Sequence, residues 1–178
     1  SITLPTSVTS IGEAAFYDDS LLATVNIAAL TSLTDIGPSA FEFSALTSVT
    51  FPASVTTIGW GAFSGCASLR TVRYATGNAI TSVSDFLFQG DPITTLKLPS
   101  TIESIGANAF QGSNLSGIAL PASLTTIHEY AFQFSPKLAF VDFPDGLVTI
   151  GPLAFQGTAV QSVTIPSSVT EIGLVVAP

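Results

Sequence analysis

The chain has 178 residues, of which 47% are hydrophobic and only 9% charged. A segment this apolar buries enough surface to offset its chain entropy, which excludes intrinsic disorder. Twelve acidic against four basic side chains give a net charge of −8. A nucleic-acid groove or an anionic lipid surface needs clustered Lys and Arg, and Arg70, Arg73, Lys97 and Lys137 do not supply them.

No apolar run approaches the roughly 18 residues of a membrane span, so no spanning segment is expected. Ser and Thr contribute 44 residues, which makes most of the polarity hydroxyl and suits short strands and turns. The single Cys66 cannot close an intramolecular disulfide and leaves the redox compartment open.

A motif recurs along the whole chain. Leu46 to Pro52, Val55 to Gly59 and Ala62-Phe63 return as Leu115 to Pro121, Leu124 to Ile127 and Ala131-Phe132, and again from Val160 onward. An Ile (once Val) stands at 11, 36, 58, 83, 105, 127, 150 and 172, in steps of 22 to 25. A unit this short cannot enclose a core alone, so about eight coils must stack and cover one another as a solenoid.

Within each coil the elements come in a fixed order. A first short strand alternates, with Val49 and Phe51 inward and Ser48 and Thr50 outward. Pro at 5, 52, 99, 121, 144 and 166 then ends it by removing a donor. A second extended stretch follows, such as Val55 to Ile58, and after it Gly at 12, 37, 59, 106, 151 and 173 permits a bend or close approach between coils. The Ala-Phe pair is expected on a helical or 3₁₀ turn, with Phe filling the coil centre. Phe110 in that column is a core residue by this reading.

Departures from the repeat are where function is grafted. Ile27 to Ile36 and Tyr74 to Val83 each take nine residues where the other coils take seven, and both lack the Pro. Ala28 to Ser32 and Ala75 to Ala79 are therefore either widened turns or projections that touch a partner. Trp60, Phe86, Tyr130 and Leu153 occupy the variable sites between the Gly column and Ala-Phe, which stacking brings onto one edge. That edge is either packing surface or a partner contact.

Outward first-strand positions Thr3, Asn26, Thr50, Arg73, Lys97, Ala119, Asp142 and Thr164 form one row. Arg73 and Lys97 are adjacent in it and make a basic spot on an acidic protein, able to take a carboxylate or sulfate. The alternative is a solvated sheet. The Thr column at 9, 34, 56, 81, 125 and 170 is interrupted by Glu103 and Val148, which argues against a water-ordering array. Gln89, Gln111, Gln133 and Gln156 are expected to form an amide ladder. Asn114-Leu115-Ser116 is a glycosylation sequon that leaves Asn114 at a turn.

Catalytic chemistry finds little material. His128 stands alone where Gly is usual, and Cys66 is expected to be a buried thiol. No zinc, phosphate or calcium motif is present, no nucleophile has a recognisable base, and no cofactor is expected.

The pattern L-x-x-V-x-I-P-x-S-V-T-x-I-G-x-x-A-F closely resembles the leucine-rich repeat of the BspA-like (Treponema-type) family, across essentially the whole chain. The resemblance implies a right-handed coil of stacked parallel strands with little α-helix. It also implies an extracellular or cell-surface setting and adhesion to proteins, cells or surfaces, with the strand row as recognition face. One solenoid spanning 1–178 is expected, as an uncapped piece of a longer array. The functional expectation is a non-enzymatic protein- or glycan-binding module; the alternative is a structural spacer or fixed subunit of a larger assembly.

Overall fold

The period-two alternation produces very short strands, two per coil, that hydrogen-bond to their counterparts in neighbouring coils. A computed structural model of the chain describes residues 1–173. In chain order the strands are β1 (Ser10–Ile11), β2 (Asp35–Ile36), β3 (Ser48–Phe51), β4 (Thr57–Ile58), β5 (Thr71–Tyr74), β6 (Ser82–Val83) and β7 (Thr95–Leu96). They continue as β8 (Ser104–Ile105), β9 (Gly117–Ala119), β10 (Thr126–Ile127), β11 (Phe140–Asp142), β12 (Thr149–Ile150) and β13 (Glu171–Ile172). A single 3₁₀ turn, Ile27–Ala29, accounts for the helix among the described residues.

All pairings are parallel. Eight Ile/Val column residues bound about seven turns. The second-strand series forms two ladders, β1-β2-β4 and β6-β8-β10-β12-β13, and the first-strand series forms β3-β5-β7 and β9-β11. The ladders therefore break twice, at different places. Between β4 and β6 the longer coil intervenes, and the Ser84 hydroxyl donates to the Ile58 carbonyl at the break.

The core is a stack of phenylalanines. Phe16, Phe41, Phe63, Phe88, Phe110, Phe132 and Phe155 follow one another with ring centroids 5.1 to 5.9 Å apart and near-parallel planes. Offset stacking at this spacing adds to what burial of each ring contributes. The Ile/Val column and the Leu residues of the turns close around the stack.

The Ala-Phe segment is not a helical turn. In each coil the residue two before Phe is left-handed: Ala14, Ser39, Gly61, Phe86, Asn108, Tyr130 and Leu153 have φ between 51° and 60°. The residue two after Phe is left-handed as well, at Asp18, Phe43, Gly65, Gly90, Gly112, Phe134 and Gly157. A non-glycine residue in this region costs about 1–2 kcal/mol.

Alternation of hand turns every second N–H the same way, and those groups donate to the next coil. Ala14 donates to Pro38, Phe16 to Ala40 and Asp18 to Glu42, and the pattern repeats coil by coil to Phe134 on Gln156. The bonds offset the backbone strain. In the Gly column the reason is close approach, since a Cβ at Gly37 would lie 2.6 Å from the Glu13 backbone N and one at Gly106 2.6 Å from that of Asp85.

Side-chain ladders reinforce the stack. Gln89, Gln111, Gln133 and Gln156 pass amide hydrogen bonds from each coil to the next. Thr34, Thr56 and Thr125 donate to carbonyls of the preceding coil, at Thr9, Thr34 and Glu103, so the Thr column is tied into the solenoid.

One further column, three residues after Phe, holds small buried polar groups: Ser44, Cys66, Asp91, Ser113 and Ser135. Ser135 Oγ donates to the Phe110 carbonyl and receives Ser113, and Cys66 Sγ donates to the Phe41 carbonyl. Asp91 is the exception: it is fully buried and neither carboxylate oxygen meets hydrogen-bond geometry. Desolvation pushes its carboxyl well above the usual range, opposed only by the nearby Cys66 amide. Burial, then the Asp91 charge, push the Cys66 thiol up to about 12, against the Ser44 hydrogen bonds.

Two expectations follow. Phe110→Ala removes a fully buried ring from the stack and costs about 3–5 kcal/mol, lowering the melting temperature by roughly 10 °C or more; an unchanged melt would remove Phe110 from the core. Because the folded Asp91 pKa lies above the unfolded value of about 3.9, its stabilising contribution is complete below that pH and is lost as pH rises through the folded pKa. Asp91→Ser therefore gains about 1–3 kcal/mol over the parent at neutral pH, with the gain shrinking toward pH ~4. Paired melts across that range check it, and a pH-independent gap refutes a neutral buried carboxyl.

Candidate functional site

The strand row is assembled by register. Thr50 pairs with Arg73, and because Val72 pairs with Leu96 the next residues, Arg73 and Lys97, are cross-strand neighbours one strand spacing apart, about 4.8 Å. Both are exposed. Ala119 pairs with Asp142 in the second ladder, and Asp142 is also exposed. The row is not continuous, because no ladder joins β7 to β9, so Lys97 and Ala119 face each other across a seam. At the other end Asn26 leaves the row: its amide receives the Leu4 N–H at 2.8 Å and donates to the Leu4 carbonyl at 2.9 Å, mimicking a strand.

Phe86, Tyr130 and Leu153 share the first left-handed column, whereas Trp60 stands one residue earlier, in the position of Glu13 and Pro38. Trp60 is 55% and Phe86 37% exposed; Tyr130 and Leu153 are half-buried. Asn108 separates Phe86 from Tyr130 in that column. None of the aromatic ring contacts of the described residues links Trp60, Phe86 and Tyr130, so they form separate apolar points on one side.

Several exposed rings were not signalled by the repeat. Phe43 and Phe134 occupy the second left-handed column and lie over the glycine of the following coil, where a Cβ at Gly65 or Gly157 would strike them. Tyr17 meets Phe43 edge-on at 5.7 Å. On the strand face Phe140 is 75% exposed beside Gly117. Its signal was an aromatic at an outward strand position, two residues before Asp142.

The two longer turns differ. Ile27–Ala29 forms the 3₁₀ turn, with Ile27 buried and Ala28 and Ala29 exposed. In Ala75 to Ala79 the buried Asn78 donates to the Pro52 and Val55 carbonyls and receives the Ile80 N–H, which holds the turn rigid. This turn borders an open cleft of about 610 Å³ lined also by Tyr74, Lys97, Pro99, Ala119 and Pro121. Burial pushes the Tyr74 hydroxyl above the usual phenol range.

His128 is exposed and Cys66 buried, and among the described residues no group of His, Cys, Asp and Glu is placed to hold a metal ion. No helix of the described residues is long and apolar enough to cross a membrane. Asn114 is half-buried at the turn before β9, its backbone N–H on the Ile93 carbonyl.

Comparison with known proteins supports the architecture. Six copies of the "BspA type Leucine rich repeat region" match residues 1–90 and 75–176. No curated protein matches the sequence. Among solved structures, the pneumococcal vaccine antigen PcpA aligns with a TM-score of 0.59 at 20% identity, covering 96% of this chain and 57% of that one. The chain thus spans little more than half the length of that neighbour. The T. pallidum leucine-rich repeat protein aligns with a TM-score of 0.58 at 21% identity, covering 97% and 68% respectively. With the repeat matched along nearly its whole length and the same stacked coils in its structure, this chain belongs to the BspA type leucine-rich repeat family.

Proposed function

We propose that this chain is a non-enzymatic binding module at a cell surface, which engages a protein or glycan through its strand face and aromatic side. The observation that carries this reading is the exposure of Trp60, Phe86 and Phe140 on a solenoid that buries its Phe column completely from Phe41 to Phe132. Large apolar side chains left in water beside charged groups mark contact surfaces, and Arg73, Lys97 and Asp142 supply the charge. A structural neighbour named as a vaccine antigen supports the surface setting.

A fixed subunit of a larger assembly is the second reading. Leu21, Tyr17, Phe43 and Phe134, exposed in addition to the candidate residues, favour it because they enlarge the apolar area for permanent neighbours to cover. Native isolation with size-exclusion chromatography and mass spectrometry separates the two. One complex of fixed composition supports the subunit, and a free or loosely anchored chain supports the module.

Substitution tests the aromatic side. The triple variant Trp60→Ser, Phe86→Ser and Tyr130→Ser is expected to weaken binding to a panel of immobilised matrix proteins and glycans by at least about tenfold, each anchor lost being worth about 1 kcal/mol or more. Its melting temperature should stay near that of the parent. Undiminished binding removes the aromatic side from the interface.

A further inference from the structure

The strand face contains a second feature that the repeat does not require. The sheet is split between β7 and β9, and two cavities meet at the split. The first, about 610 Å³, lies beside the rigid Ala75–Ala79 turn. The second, about 410 Å³, extends past Ile118 to Phe140, Asp142 and Ser162. Ala119 lines both, so the two open depressions adjoin along the face in a groove.

Its construction follows from three local facts. The coil bearing Tyr74 to Val83 is two residues longer than the next, so its turn stands beside the turns at Pro99 and Pro121 as a wall. The coil beyond the split presents only Gly117 and Ala119 outward, so the floor is flat and open to main-chain approach. Phe140 then rises on the far side, with its Cβ 3.3 Å from where a side chain on Gly117 would begin.

Charge is distributed unevenly along this groove. Lys97 lines the first cavity with Arg73 beside it, whereas Asp142 lines the second. Two of the chain's four basic residues are thus adjacent in a molecule of net charge −8. An approaching anion is repelled by most of the surface and accepted at this point. The walls combine apolar side chains, Leu98, Leu120 and the two prolines, with the polar Tyr74, Thr76, Asn78, Ser100 and Thr101. A lining of this mixture suits a peptide, which brings apolar side chains and main-chain amides together.

We infer that this groove is a docking site for an extended peptide segment that carries an acidic residue and, about three to four positions away, a large apolar one. The inference rests on the binding-module reading and assigns it a partner chemistry. The carboxylate pairs with Lys97 and Arg73, and the apolar side chain lies against Phe140 over the Gly117–Ala119 floor. The spacing follows from geometry: Phe140 lies two coils across from Lys97, roughly 10 Å, and two residues along the strand from Asp142, roughly 7 Å, a diagonal of about 12 Å that an extended chain covers in about three to four residues. Asp142 at the far end repels a second acid there and fixes the direction of the segment. The wall is held in advance by the Asn78 hydrogen bonds, which reduces the ordering cost of capture.

A phage-displayed library of random seven-residue peptides, panned against the folded chain, tests the site. Enriched clones are expected to carry Asp or Glu and a Leu, Ile or Phe near the stated spacing, and their affinity should fall as salt rises. Measured as synthetic peptides, they should bind at least about tenfold more weakly to Lys97→Glu and to Ala119→Phe, and equally well to Trp60→Ser. Positions 97 and 119 are exposed, so both variants should keep the parent melting temperature. Enriched peptides that bind both variants as well as the parent overturn the site, as does a library without enrichment. So does a glycan array in which a neutral sugar binds the parent and is displaced by Ala119→Phe. If the groove fails while the aromatic side still holds a partner, the module reading stands and this assignment alone is lost.

Discussion

The stacked rings from Phe16 to Phe155 are the constraint on which the other features depend. Each coil supplies one ring and covers two others, so no coil has a complete core of its own. The stacking distance fixes the rise per coil close to the strand spacing, and at that rise the strands and the carbonyls of the left-handed turns fall into hydrogen-bonding register. Ala14, Ser39, Phe86, Asn108 and Tyr130 accept a costly backbone conformation because the ladder gives each N–H an acceptor in the next coil. Stacking, ladder and backbone hand are one cooperative unit.

The proposed recognition surfaces lie where that unit is relaxed. A two-residue extension after Tyr74 leaves the Phe stack in place but lifts the following turn out of line, and a pair of minimal side chains at Gly117 and Ala119 opens the face beside it. A repeat built for uniformity carries recognition only through such irregularities, because regular positions look alike from coil to coil. The same logic places Trp60 and Phe86 at sites where neighbouring coils carry Glu13, Pro38 or Asn108.

Much of the fold was legible because spacing is a strong signal. The Ile column, the inward Phe51, the Gly residues at close approach and the amide ladder from Gln89 to Gln156 all follow from period and residue size. The left-handed turns did not, since Ala14 or Tyr130 carries no mark of φ near 55° and adopts it through bonds to a neighbouring coil. Asp91 was hidden by sitting in register with Ser113 and Ser135. The sequence places Trp60, Phe86, Tyr130 and Leu153 along one edge, but the one-residue offset of Trp60 and the intervening Asn108 set how far apart they stand, and that depends on the backbone of the turn. The groove was invisible for a different reason: it arises from a missing ladder between β7 and β9, and an absent pairing leaves no residue pattern to read.

The coil junction between Phe63 and Phe88 gathers the break in the second-strand ladder, the widest ring separation of the stack at 5.9 Å, and the unsatisfied Asp91 against Cys66. In a linear array whose stability is a sum over neighbouring interfaces, an end-to-end load is carried in series by every junction, and the poorest one yields first. Yet β3 and β5, the longest strand pairing among the described residues, span this same junction, so under load its second-strand edge parts while its first-strand edge holds, and the solenoid bends there. Such a bend is felt first by the Ala75–Ala79 turn, whose Asn78 amide is bonded to Pro52 and Val55 across the junction.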